Sequence, residues 1–227
     1  MDRAKFLLSD ETAKTHGGHY DIVATNDTIK KIVWDAIQEH GSKVNLNNVD
    51  VSNVTDMKNV FALTGFNGDV SEWDVSCVKT MEGMFGGCTK FNGDISCWNV
   101  SSVENFTLMF ANCRNFNCDL SKWDVDNAKS MVQMFSNCHL FNSDLGSWNV
   151  SNVTNMLGMF QKCIGFEGKG LNKWNVENVE NIDFMFRYCS AFKEDIHNWN
   201  LKSCKYADRY YENATLFTIE KRPMIAV

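Results

Sequence analysis

Nine apolar positions recur along this chain in a fixed polar background. In the copy that starts at Trp98 they are Trp98, Val100, Val103, Phe106, Met109, Phe110, Cys113, Phe116 and Leu120. From Val103 onward the steps are three, three, one and three, which follows one face of an α-helix. Ser101 stands just ahead, where an N-cap belongs. Leu120, Trp123 and Val125 follow a different rule: L-x-x-W-x-V matches the strand half of the leucine-rich pattern. The pattern therefore predicts a very short strand at Trp-x-Val, a helix of about two to three turns and a return loop through Phe-Asn-x-Asp.

The unit repeats. Trp73, Trp98, Trp123, Trp148, Trp174 and Trp199 mark one position, and their spacing is 25 residues with a single step of 26. A period of this length is the mark of a solenoid. One unit cannot bury its apolar face alone, so neighbours must stack. The expected fold class is an α/β repeat solenoid, leucine-rich-repeat-like and right-handed. It should hold about seven 25-residue strand–helix units, with parallel pairing of one strand per unit, helices outside and aromatic ladders through one core.

The ends break the period. Residues 1–26 are an irregular polar segment. Residues 27–41 read as an N-terminal capping helix, because Ile29, Ile32, Val33, Ala36 and Ile37 form one stripe. Asp27 suits its N-cap, and His40 and Gly41 suit its end. The repeats occupy 47–217, and 218–227 is a tail in which Pro223 bars further helix. The first unit starts near Val49, without its tryptophan. The fifth carries an extra residue in Phe166–Leu171, loses the Asn-x-Asp pair and is expected to bulge. The last drifts to Ala207, Tyr210, Tyr211, Ala214 and Phe217.

The motif M-x-x-M-F-x-x-C-x-x-F-N-x-D-L-S-x-W-[DN]-V-S-[NS]-V resembles the BspA-like leucine-rich repeat of bacterial surface lipoproteins. Similar repeats occur in protists and large DNA viruses. The resemblance spans about Asn47 to Phe217 and rests on a long motif that recurs with few changes. It implies a non-enzymatic solenoid used for contacts with proteins or surfaces, and it carries over no catalytic residue. Exported members begin with a signal or lipoprotein sequence. This chain begins M-D-R-A-K-F-L-L-S-D, with no apolar run of that kind. An intracellular, reducing compartment is expected, with incorporation into a virion as one case.

Composition narrows the partners. Lys plus Arg is 22 against 28 Asp plus Glu, a net charge of −6. No basic stripe exists to replace phosphate counterions, so no nucleic-acid partner is expected. No segment is long enough to span a membrane. There are nine cysteines. Cys88, Cys113, Cys138, Cys163 and Cys189 share one slot, which Thr64 and Ala214 fill near the ends, so volume is its expected requirement. Free buried thiols are the favoured reading over disulfides or metal. Cys77, Cys97, Cys118 and Cys204 lie off that slot.

Candidate chemistry is sparse. The pairs Asn67/Asp69, Asn92/Asp94, Asn117/Asp119 and Asn142/Asp144 suit Asx turns better than calcium, which wants six to eight oxygens. His16-Gly-Gly-His19 reads as a loop rather than a metal site. No nucleophile elbow, P-loop or H-E-x-x-H occurs, and Cys138-His139 are only sequence neighbours. No catalytic residue, cofactor or metal site is assigned. The outer face of the expected helices is mostly charged or small: Lys79, Glu82, Lys129, Gln133, Glu180 and Asp183. Leu108, Val132, Leu157 and Phe184 also fall there, in four successive copies, and form the candidate protein contact. The alternative is that rotated helices bury them. The outward positions of the strand side, such as Asp74, Asn99, Asp124 and Asn149, are small and polar. The expected function is a non-catalytic protein-interaction solenoid, a structural or scaffolding component of a larger assembly such as a viral particle. Its partners are other proteins. A cell-surface adhesion module is the alternative, and an enzyme the remote one.

Overall fold

The computed structural model describes residues 21–224. It opens with β1 (Ile22–Val23), α1 (Ile29–His40) and β2 (Val49–Asp50). β1 and β2 pair in parallel, with Ile22 opposite Val49. Beyond them the backbone pairs through single parallel bridges at Asp56, Thr80, Asn105, Ser130, Asn155, Asn181 and Tyr206, each residue opposite the next. Successive 25-residue segments are therefore coils stacked in register.

The coils are not strand–helix units. Among the described residues there is one α-helix and two strands of two residues each, and the only other helical pieces are short 3-10 turns at Leu171–Lys173 and Ile219–Lys221. This overturns the expected α/β leucine-rich-type solenoid. The reason lies in two backbone positions per coil. Leu108 and Asn112 have φ of 58° and 65°, and the equivalent pairs are Asn59/Leu63, Gly83/Gly87, Gln133/Asn137, Gly158/Lys162, Phe184/Tyr188 and Arg209/Asn213. An α-helix cannot pass through an L-residue at positive φ.

What forms instead is a run of overlapping β-turns with a division of labour among its amides. Met109, Ala111 and Cys113 donate three residues back, to Phe106, Leu108 and Phe110, at 2.9–3.1 Å. The amides between them, on Phe106, Leu108, Phe110 and Asn112, donate to the next coil, at Ser130, Val132, Met134 and Ser136, over 2.7–3.0 Å. Consecutive three-residue turns return side chains to one side much as a helix does. The spacing of Val103, Phe106, Met109 and Phe110 therefore fits both structures. The Trp-x-Val stretch is also turns rather than strand: Trp123 N–H reaches Leu120 O at 3.1 Å and Ala128 N–H reaches Val125 O at 2.9 Å.

Stacking puts like on like in the core. Phe85, Phe110, Phe135, Phe160 and Phe186 form one column with centroids 5.6–5.9 Å apart and rings within 9° of parallel. Phe91, Phe116, Phe141, Phe166 and Phe192 form a second. The repeat tryptophans are buried, and each indole N–H donates to a carbonyl of the coil before. Trp98 reaches Val70 O at 3.0 Å, Trp123 reaches Ile95 O at 3.0 Å and Trp148 reaches Leu120 O at 2.9 Å. Each large aromatic thus has its one polar atom satisfied while its rings are buried.

The two ends are built differently. α1 lies between β1 and β2 in the chain and packs into the same hydrophobic core as the first coil. The buried stripe of α1 is Ile29, Val33, Ala36 and Ile37. Its N-cap residue is Thr28 rather than Asp27 and makes no side-chain capping bond, whereas Gly41 ends it at φ 84° with its N–H on Ile37 O. Asn26 ties this region down by accepting from the amides of Thr55 and Asp56. At the other end Phe217 meets Phe192 edge-on at 4.9 Å, Arg222 covers the ring of Tyr211 at 3.8 Å and Pro223 is buried.

The extra residue of the fifth unit is absorbed rather than displayed. Gly168 and Gly170 take φ of 91° and 82°, and Lys169 O receives the amide of Leu145 at 3.2 Å. A Cβ on Gly170 would stand 2.4 Å from the Cα of Gly146. The close approach keeps Trp174 in its column.

Candidate functional site

The repeated polar side chains serve the stack. Asp69, Asp94, Asp119 and Asp144 each accept the amide two residues on, from Ser71, Ser96, Ser121 and Gly146, at 2.9–3.0 Å. These are the Asx turns that the motif suggests. The Ser96 hydroxyl and amide hold the Asp94 carboxyl below its ordinary value, and the Ser121 amide and hydroxyl do the same for Asp119. The paired asparagines work between coils. Asn67, Asn92, Asn117 and Asn142 accept the amides of Asn92, Asn117, Asn142 and Glu167 at 2.8–3.1 Å. Among the described residues no group of three or more His, Cys, Asp or Glu could hold a metal ion. His16 and His19 lie outside them.

The cysteine slot does more than fill volume. Cys88, Cys113, Cys138, Cys163 and Cys189 are buried free thiols. Each S–H donates to a phenylalanine carbonyl one coil back, at Phe61, Phe85, Phe110, Phe135 and Phe160, over 2.7–3.1 Å. In the first coil the Thr64 hydroxyl instead donates within its own coil, to Phe61 O at 2.7 Å, the same carbonyl that Cys88 reaches from the next coil. The slot takes a small side chain throughout, and in the five inner coils that side chain is also a donor. Burial pushes all five thiols above their ordinary value. Such thiols are poor nucleophiles. Cys77 and Cys97 are exposed, and Cys118 and Cys204 are half-buried.

The candidate contact residues do not fall into one stripe. Leu108 N–H donates to Val132 O, and Gln133 N–H to Leu157 O, each at 2.8 Å. Val132 and Leu157 therefore lie side by side in one column, between Thr107 and Asp183. Leu108 and Phe184 belong to the adjacent left-handed column, with Gln133 and Gly158 between them. Leu108 is exposed, while Val132, Leu157 and Phe184 are half-buried. The Arg187 guanidinium sits 5.5 Å above the Phe184 ring. What the structure brings together is thus the Val132–Leu157 pair, with Phe184 diagonal to it.

Charged groups around this face pair from coil to coil. Lys129 meets Glu104 at 2.5 Å, Lys205 meets Glu180 at 2.8 Å and Lys58 meets Glu82 at 2.8 Å. Lys129 holds the Glu104 carboxyl below its ordinary value. Exposed pairs of this kind add little to stability and order the surface more than they hold it. Two further exposed apolar residues, Leu140 and Ile164, sit at the corner beyond the cysteine slot in adjacent coils. No described helix is long and apolar enough to cross a membrane.

Residues 31–147 and 122–222 both match the family described as Mycoplasma protein of unknown function, DUF285. The chain belongs to that family. The two DUF285 matches overlap over 122–147, about one coil, and together run from α1 to the closing tail. The stacked coils are thus the structure that this DUF285 sequence adopts, and its BspA-like motif is compatible with the assignment. No curated protein and no solved structure matches the chain.

Proposed function

We propose that this chain is a non-catalytic protein-contact module, acting as a structural or scaffolding component of a larger assembly. One observation carries the reading: the recurring polar side chains are spent on the stack itself. The aspartates close turns, the asparagines and thiols bond from coil to coil, and the indoles take buried carbonyls. What remains on the outside is a regular surface with a few apolar groups, suited to contact. The likeness of the motif to BspA-like repeats of surface proteins supports the same role. Nine free thiols support a reducing compartment.

Cross-linking of the native protein followed by gel filtration and mass spectrometry tests this. The reading expects a stable complex with other proteins, and elution as a lone chain with no cross-linked neighbour would defeat it. Leu157→Asp combined with Phe184→Asp should remove that complex while leaving urea unfolding within about 1 kcal/mol of the parent, since both side chains are only half-buried. A double variant that still assembles would move the contact off this face.

A further inference from the structure

Every inner coil gives its alternate amides to the coil that follows. Ile182, Phe184, Phe186 and Tyr188 donate to the carbonyls of Tyr206, Asp208, Tyr210 and Glu212 at 2.6–2.9 Å. The last coil carries the same row, on Ala207, Arg209, Tyr211 and Asn213. Among the described residues none of these four amides meets an acceptor. The row is made of donors alone. An ordinary β-strand offers N–H and C=O in alternation along an edge and would set donors against donors here. At the other end of the stack α1 packs into the core with the first coil, which argues against simple stacking of a second copy.

Beside the donor row lies a cation that forms no salt bridge among the described residues. The Arg222 guanidinium rests on the Tyr211 ring and gives one hydrogen bond to Phe217 O at 2.9 Å. Its Nε is buried and has no acceptor, and among the described residues it pairs with no carboxylate. The carboxylates of this end are otherwise engaged: Glu212 by Arg187 at 2.5 Å, Asp208 by Arg209 at 3.7 Å, and Glu220, which feels the Arg222 charge without pairing with it, by the Thr218 hydroxyl at 2.6 Å. Tyr206, exposed and next in the chain to Ala207, adds an aromatic flank.

We propose that this open edge docks a partner segment bearing Asp or Glu on alternate residues, whose carboxylates take the donor row and Arg222. In an extended segment alternate side chains lie on one face, roughly 6.6–6.8 Å apart. Carboxylates are acceptors only, so they suit a donor-only edge. Charge-assisted bonds to backbone amides and to a guanidinium are the strong kind. The proposal rests on the protein-contact reading above and names a place and a partner chemistry for it.

The test is a titration of the nitrogen-15-labelled full chain with a decapeptide of alternating Asp and Gly, followed by amide NMR. The amides of Ala207, Arg209, Tyr211 and Asn213 and the Arg222 Nε–H should shift together, and added salt should weaken the effect. Arg222→Gln should weaken binding at least tenfold and Arg222→Lys less. Unchanged shifts at Phe110 and Phe135 would certify that the stack of either variant is intact. Unmoved edge amides would overturn the proposal, as would an Asn–Gly decapeptide that shifts them equally. A native complex found by cross-linking together with a silent peptide would sink this inference alone. Absence of any native complex would sink the contact reading, whatever the peptide does.

Discussion

At the scale of single residues, the burial of a polar atom together with its partner explains why two side chains, tryptophan and cysteine, recur. Trp123 stacks in the core and gives its N–H to Ile95 O. Trp123→Ala should cost about 3–5 kcal/mol in urea unfolding, as large aromatic truncations in cores do. Trp123→Phe should cost less, because the ring is kept and only Ile95 O loses a donor. The thiols make a sharper prediction. Their folded pKa values lie above the ordinary 9.0 because burial disfavours the thiolate. Below that value both states are protonated and the thiols leave stability unchanged with pH. Above it the unfolded chain releases protons that the folded chain holds, so stability must fall as pH rises, by about 1.4 kcal/mol per pH unit for each buried thiol. Urea midpoints should therefore drop steeply between about pH 9 and 10, and Cys138→Ala should make the drop shallower. A flat profile there would contradict the buried-thiol ladder. An alkylating reagent should likewise leave the five thiols untouched until denaturant is added.

At the scale of one element, the apolar spacing was legible and the backbone that produces it was not. Val103, Phe106, Met109, Phe110 and Cys113 all face the core as the helical pattern demands. Spacings of three and four do not separate an α-helix from a chain of overlapping turns, because both return to one side at those steps. The signal that could have separated them was present in the polar positions between. Asn59, Gly83, Gly87, Asn112, Asn137, Gly158 and Asn213 are Gly or Asn, the residues most at home at positive φ, and they fall in the two left-handed columns. Leu108 and Phe184, in the same columns, hid it. A left-handed residue points elsewhere than its helical counterpart, so Leu108 and Phe184 stand in a different column from Val132 and Leu157. Leu108→Gly decides between the two structures by sign. In a helix it would cost about 1 kcal/mol. At φ 58° it relieves a conformation that costs an L-residue roughly 1–2 kcal/mol, so it should be neutral or stabilising. The Asn-x-Asp turns, in contrast, could be foreseen, because the side chain and its acceptor geometry lie within a few residues of each other.

At the scale of the molecule, the period of the tryptophans predicts stacking in register, and the bridges from Asp56 to Tyr206 show it. The stripe of α1 is buried in the common core at one end. The open donor row at the other end was invisible in sequence, because it depends on which way the amides point and not on which residues carry them. A stack whose coils touch only their neighbours should lose less from damage near an end. Trp199→Ala should accordingly cost less than Trp123→Ala, and equal losses would argue for a more globally coupled core. The central claim is that each turn run hands its alternate amides to the next coil. NMR couplings transmitted through hydrogen bonds test it directly at Leu108. The stacked coils predict a coupling from the Leu108 amide to the carbonyl of Val132, 2.8 Å away. A coupling to the carbonyl of Glu104, four residues back, would mean a helix and contradict the account.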